Sequence, residues 1–380
     1  MTVVEIGDNI DSCAKAPNLK SVEFSRDLRF GLQSGKRFGP ITVSYKAFGK
    51  LNRARDNAVL VFPTLTATQQ VAGETAGGTV FPGWWQDIVG EGKPVDTRKF
   101  FVVCADHFGG CYGSTGPSST NPDTGKPFGL DFPGFFIKDM ANVAMEFLRQ
   151  IGIAKLRAVL GASIGGLLSL ELAALDSAFA EKAIVVGASH RVSATYLALN
   201  YIAREAIMLD PAWNSGNYYG AEFPEKGLSI ARQIGHISYL NQLILEAKFG
   251  RQPVNGNLKQ HISLGMQYQV ESYLDYQGKK FCKRFDPNSY IYLSKAIDTF
   301  DLEKEFGSIE NAFSGSHTEF SFVTISSDNL FLPSDTKELH GRLAECGVRS
   351  TFAGISSPKG HDGLFLEHKK IAPIIRKALC

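Results

Sequence analysis

The stretch Ala158–Gly166, AVLGASIGG, stops an apolar run at Ser163 and surrounds that serine with glycines at 161, 165 and 166. The next residues, LLSLELAAL (167–175), restart at once as an apolar helix. A short apolar run ended by glycine and followed by a helix reads as a buried strand that feeds the helix through a sharp turn. In that setting Gly161-Ala162-Ser163-Ile164-Gly165 satisfies G-x-S-x-G, a pattern that presents a nucleophile. The turn strains the backbone of its central residue, and glycines two positions to either side keep the neighbours from colliding. Ser163 then projects at the start of a helix, where the backbone N–H of Ile164 can help hold an oxyanion.

Working outward, AVLVFPT (58–64), FFVVCAD (100–106), RAVLGAS (157–163), AIVVGAS (183–189) and FSFVTISSD (320–328) read as further buried strands. FFIKDMANVAMEFLRQIGI (135–153) carries apolar residues at helical spacing between the second and third of them. Strands alternating with helices predict an α/β fold with a mostly parallel sheet covered by helices on both faces. RFGPITVSYKAFGKL (37–51) alternates more and predicts antiparallel edge strands. From about 191 to 310 the rhythm breaks into helical patterns such as ATYLALNYIAREAIML (194–209) and KGLSIARQIGHISYLNQLILEAKFG (226–250). The expected organisation is therefore one α/β core, residues 1–190 and 311–380, interrupted by a mainly helical lid, 191–310.

A serine needs a base, and the base needs a group to orient it. Behind a G-x-S-x-G turn the acid and then the histidine follow in chain order, each in a loop after a later strand. Asp328 ends FSFVTISSD, and His361 stands in SPKGHDGLF after the strand-like STFAGIS (350–356). The predicted triad is Ser163, Asp328 and His361. His107 and His190 also follow strands, but neither comes after a usable acid in the required order. His236, inside an amphipathic helical pattern, reads as a packing or capping residue. A second oxyanion donor is expected from the loop after AVLVFPT, at Leu65 or Thr66.

Composition narrows the classes. Hydrophobic residues make up 44% and charged residues 21% of the 380, the balance of an ordinary globular chain. A formal charge of +2 gives no reason to expect a nucleic-acid or polyanion partner. No apolar run is long enough to span a membrane, and the N-terminus shows no secretory pattern. The six cysteines (13, 104, 111, 282, 346, 380) are scattered, without a C-x-x-C pair, as expected of reduced thiols in the cytoplasm. Cys111, in a glycine-rich loop, is expected to be structural. That loop, GGCYGSTGPSS, lacks the G-K-[ST] ending of a phosphate-binding loop.

Several long stretches resemble the homoserine O-acetyltransferases: GWWQDIVGEGKPVDTRKFFVV (83–103), GGCYGSTGPSSTNPDTGKPFGLDFP (109–133), LDPAWNSGNYY (209–219) with GLSIARQIGHISYL (227–240), and VESYLDYQGKKFCKRFDPNSYIYLSKAIDTFDL (270–302). The resemblance runs from about residue 25 to the end. It implies an α/β-hydrolase core with a helical lid, a homodimer formed through that lid, and a covalent cycle in which an acetyl group passes to Ser163 and then to an acceptor. It also implies that Arg232 lies near the acceptor's carboxylate and Asp362 near its amine. Both suit that chemistry, because a guanidinium binds a carboxylate bidentately and a carboxylate attracts an ammonium.

The chain departs from the transferase pattern at the walls of the acyl pocket. It reads Pro63-Thr64-Leu65-Thr66-Ala67 where H-A-L-T-G is usual, G-A-S-I-G-G where G-G-S-[MF]-G-G is usual, and G-H-D-G-L where G-H-D-A-F is usual. Some proteins of this family are plain esterases. The altered walls favour hydrolysis of short acetate esters, with homoserine O-acetyl transfer from acetyl-CoA as the alternative, and Arg232 and Asp362 weigh toward the alternative. The substrate is a small-molecule ester. No metal or bound cofactor is implied, and acetyl-CoA enters only as a co-substrate of the transferase reading. A non-catalytic α/β-hydrolase relative used as a binding module is the competing class, and the intact Ser–Asp–His order argues against it.

Overall fold

A computed structural model of the chain describes residues 18–25, 30–76, 79–254 and 265–380. Eight strands form one sheet: β1 (Lys20–Phe24), β2 (Ile41–Phe48), β3 (Ala58–Phe62), β4 (Phe101–Ala105), β5 (Ala158–Ala162), β6 (Lys182–Val186), β7 (Glu319–Ile325) and β8 (Ser350–Ile355). Their spatial order is β1-β2-β4-β3-β5-β6-β7-β8. β2 is antiparallel to both β1 and β4, and every later neighbour pair is parallel.

The central strands read as unbroken apolar runs because both of their faces are covered. Along β3, Ala58, Leu60 and Phe62 join one buried cluster while Val59 and Val61 join the other; β5 places Val159 in the first and Ala158, Leu160 and Ala162 in the second. Successive side chains of a strand point to opposite faces, so a strand buried on both shows no polar alternation. Helices α1 (Ile137–Gln150) and α2 (Ile164–Leu175) pack in the first cluster. Between β6 and β7 come α3 (Ala194–Met208), α4 (Glu225–Tyr239), α5 (Gln242–Phe249), α6 (Gln269–Cys282) and α7 (Pro287–Asp298), with α4 packed against α3 and α6. After β7, α8 (Pro333–Glu345) joins the first cluster, and the C-terminal α9 (His368–Leu379) lies in the second.

One expectation needs correcting. ITVSYKAF does form an antiparallel strand, β2, but that strand is second from the edge, and the outermost position belongs to β1. Being flanked on both sides, β2 is buried at six of its eight positions, which blurs the polar alternation of an exposed edge. Phe30–Gly31 and Arg37–Phe38 form a separate two-stranded ribbon.

Cys13 and the N-terminal stretch lie outside the described residues. The described cysteines, at 104, 111, 282, 346 and 380, form no disulfide with one another. Burial pushes the Cys111 thiol well above its usual range, with the charges of Asp286 and Asp106 adding to the effect. Among the described residues no helix is long and apolar enough to cross a membrane.

Candidate active site

Parallel strands deliver the candidate site from their carboxyl ends. Ser163 follows β5, the turn Thr64–Ala67 follows β3, Asp328 follows β7 and His361 follows β8. Ser163 has φ 57° and ψ −125°, a left-handed conformation in which a non-glycine residue is strained. Its N–H donates to the Val186 carbonyl at 3.0 Å, tying the elbow to β6. The flanking glycines are there for space. A Cβ on Gly161 would collide with the Gly165 carbonyl, and one on Gly165 would lie 2.5 Å from the Phe62 carbonyl oxygen.

His361 and Asp328 meet at 2.7 Å between Nδ1 and Oδ2, both side chains buried. The other carboxylate oxygen of Asp328 accepts from the N–H groups of Leu330 (2.9 Å) and Phe331 (3.1 Å), which holds the acid in place. Ser327 links the two loops, accepting from the Gly360 N–H at 2.9 Å and donating to the Ser357 carbonyl at 2.7 Å. With Nδ1 engaged, the Nε2 of His361 is buried and has no hydrogen-bond partner among the described residues. Burial opposes charge on this imidazole, but the charge of Asp328 and its hydrogen bond outweigh it and raise the His361 pKa above the ordinary value. An imidazole oriented in this way, lining the same cavity as a serine hydroxyl, can take and return a proton.

Ser163 and His361 line one cavity together with Leu65, Arg232 and Asp362. The turn Thr64–Ala67 is closed by the Ala67 N–H on the Thr64 carbonyl at 3.1 Å. The backbone N–H groups of Leu65 and Ile164 donate to no group among the described residues, which leaves both available to a ligand in the cavity. Arg232 is buried on α4, its guanidinium over the rings of Phe281 (4.9 Å) and Tyr239 (5.9 Å). Burial lowers its pKa. Asp362 lies beside His361, its carboxyl pushed up by burial against the opposing charges of His361 and Arg232.

The rival histidines sit elsewhere. His107 is buried outside the cavity and its pKa is pushed down to about 4 by burial. His190 is fully buried, with Nδ1 3.2 Å from the Ser189 hydroxyl and Nε2 3.9 Å from Glu303. Two aromatic stretches, 135–136 and 218–219, contribute to packing. Tyr218 and Tyr219 donate to Asp286 at 2.6 and 3.2 Å, and the Phe135 ring lies against Phe108 and Phe132.

Arg284, His236 and Tyr239 are among the cavity-lining groups that sequence reasoning did not place at the site. Arg284 Nη1 donates to the Thr66 carbonyl (2.8 Å) and to the Tyr112 hydroxyl (2.7 Å). His236, expected only to pack or cap, also lines the cavity. The α4 spacing itself carried a signal, since 232, 236 and 239 fall on one helical face.

The fold and this constellation define an enzyme of the α/β-hydrolase class. The family model for the alpha/beta hydrolase fold matches residues 57–352. A homoserine O-acetyltransferase of Carboxydothermus hydrogenoformans is 39% identical over 348 residues, covering 92% of each chain. Among solved structures, the homoserine O-acetyltransferase of Bacillus anthracis superposes with a TM-score of 0.88 at 26% identity, over 95% of this chain and 97% of that one. Esterase E22 superposes with a TM-score of 0.85 at 27% identity, over 95% and 99%. The chain belongs to the homoserine O-acetyltransferase family of α/β-hydrolases.

Proposed function

We propose that this chain is a homoserine O-acetyltransferase that moves an acetyl group from acetyl-CoA to Ser163 and on to the acceptor hydroxyl. His361 Nε2 takes the proton from the Ser163 hydroxyl as its oxygen attacks the thioester carbonyl, and Asp328 supports the imidazolium. The N–H groups of Leu65 and Ile164 hold the oxyanion, and the CoA thiol leaves with the proton from His361. The homoserine hydroxyl then gives its proton to His361 and attacks the acetyl-serine, releasing O-acetylhomoserine and free Ser163. Arg232 takes the acceptor's carboxylate and Asp362 its ammonium.

The observation that carries this reading is the pair of opposite charges, Arg232 and Asp362, in the cavity that Ser163 and His361 line. A simple acetate ester has no use for either. The altered pocket walls favoured ester hydrolysis in the sequence, but the relative that is 39% identical over 92% of the chain is named for transfer to homoserine, and that likeness outweighs a few wall positions. Purified protein with acetyl-CoA, with and without homoserine, tests the reading by release of free CoA and O-acetylhomoserine. Homoserine-dependent release is the expected result. Rapid hydrolysis of an acetate ester with no homoserine-dependent CoA release would replace it with an esterase.

The same reading treats residues 191–310 as a lid through which two copies dimerise in the cytoplasm. It is supported by apolar side chains left exposed on adjacent helices: Leu197, Tyr201 and Ile202 on α3, Ile230 and Ile237 on α4. Light scattering should give twice the chain mass, and Ile202→Glu with Ile237→Glu should shift it toward the monomer.

A further inference from the structure

Two buried nitrogens in the cavity wall lack partners. Arg232 Nε and His236 Nε2 have no hydrogen-bond partner among the described residues, although both side chains are more than nine-tenths buried. Buried polar groups are nearly always hydrogen-bonded, and one left unpaired costs on the order of 1–3 kcal/mol. Two such groups four residues apart on α4 lie on the same helical face. Both line the cavity that holds Ser163 and His361.

The protonation of His236 follows from its surroundings. Its Nδ1 lies 3.1 Å from the Tyr273 hydroxyl. Burial and the neighbouring charges of Arg232, Arg284 and Lys248 push its pKa down to about 2, so the ring is neutral. Tyr273 also stays protonated, its pKa pushed up to about 12 by burial and the charge of Asp362. A phenol that donates to Nδ1 puts the imidazole proton on Nε2, which makes the unpaired nitrogen a donor. Arg232 Nε is a donor as well. Two donors on one wall call for a ligand with two acceptor oxygens.

We propose that His236 is a specificity-determining residue for the acceptor, its Nε2–H and the Arg232 guanidinium together taking the two oxygens of a substrate carboxylate. The inference rests on the hydroxy amino acid acceptor proposed above and adds a residue to its recognition. Tyr239 joins this wall to the chemistry, with Arg232 above its ring at 5.9 Å and its centroid 6.2 Å from that of His361. A carboxylate held there leaves the rest of a short acceptor reaching past Tyr239 toward the base. The neutral imidazole adds a directed hydrogen bond without a second full charge, so the subsite fits a singly charged carboxylate.

The test compares wild type, His236→Ala and His236→Gln, the last keeping an N–H donor near the position of Nε2. Two acceptors are used, homoserine and its carboxylate-free analogue homoserinol, and p-nitrophenyl acetate hydrolysis without acceptor reports the acetylation half-reaction. His236→Ala is expected to raise KM for homoserine by roughly tenfold to a hundredfold, the loss typical of a hydrogen bond to a charged group. That effect should exceed the effect on ester hydrolysis by at least about tenfold, shrink the preference for homoserine over homoserinol, and be largely recovered by His236→Gln. A loss falling on KM for acetyl-CoA or on ester hydrolysis, or an unchanged preference between the two acceptors, would overturn the assignment. A wild type that acetylates neither acceptor removes the transferase reading instead. In that case inhibition of ester hydrolysis by homoserine still tests the subsite, since His236→Ala should weaken it and an unaltered inhibition constant would reject the role.

Discussion

The Arg284 guanidinium, carried by the short link between α6 and α7, donates to the carbonyl of Thr66 at 2.8 Å, one residue beyond Leu65, the proposed oxyanion donor. It also holds the Tyr112 hydroxyl at 2.7 Å, and Arg284 is buried. A residue from the helical stretch between β6 and β7 thus fixes the orientation of the turn that follows β3. Oxyanion stabilisation depends on donors placed in advance, so loosening this turn should be felt in the rate. Arg284→Met is expected to lower the rate of Ser163 acetylation by about tenfold or more, and Arg284→Lys should recover part of it. The burst of p-nitrophenol from p-nitrophenyl acetate measures that step; a burst rate equal to wild type would show that the contact serves the lid alone.

His361→Ala removes the base while leaving the strands and the elbow intact. The expected loss is about 10³-fold or more in kcat/KM, with the far-ultraviolet spectrum of the folded protein retained. A loss below about tenfold in a folded variant would sink the triad.

In the proposed mechanism neutral His361 is the base. Its folded pKa lies above the ordinary histidine value of 6.5, because Asp328 outweighs the opposing effect of burial. Activity should therefore fall as pH drops through that raised value, placing the acid limb of kcat/KM above 6.5. Asp328→Asn removes the counter-charge and should move the limb to lower pH as well as depress the plateau. A pH profile of ester hydrolysis that keeps its limb in the variant would contradict the assigned pairing.

Glu171 lies buried on α2, behind the nucleophile, with Oε1 unpaired among the described residues. Burial and the charge of Glu305 push its pKa up to about 8 from the ordinary 4.5. The folded state then holds a proton that the unfolded chain releases, so stability falls as pH rises from 4.5 to about 8. Glu171→Gln should raise the melting temperature by roughly a few degrees at pH 8 and leave it almost unchanged at pH 4.5. Equal shifts at both pH values would rule out this account.

Much of the core was legible because each central strand is local and buried on both faces. The runs 58–64, 100–106 and 157–163 each contain the observed strand within one or two residues of their ends. The elbow was legible for a steric reason, since neither Gly161 nor Gly165 has room for a Cβ. The place of β2 inside the sheet was not, because that depends on β1 adding outside it. That His236, besides packing, lines the cavity was not legible on similar grounds. An amphipathic pattern shows which helical face is buried but not whether it meets packed side chains or a cavity.

The sequence by itself determined the α/β alternation, the serine turn, the chain order of acid and base, and the likeness to the homoserine O-acetyltransferases. These follow from short-range periodicity, from steric limits around one turn, and from motifs contiguous in the chain. Only the tertiary structure decided that Arg284 grips the turn after β3 and that Arg232 and His236 leave two nitrogens unpaired in the wall of the Ser163 cavity. Those relations join residues of the helices between β6 and β7 to a site at the ends of the strands, across long separations in sequence. Hydrogen-bond satisfaction in a buried wall depends on every element that closes around it, and no local pattern records that.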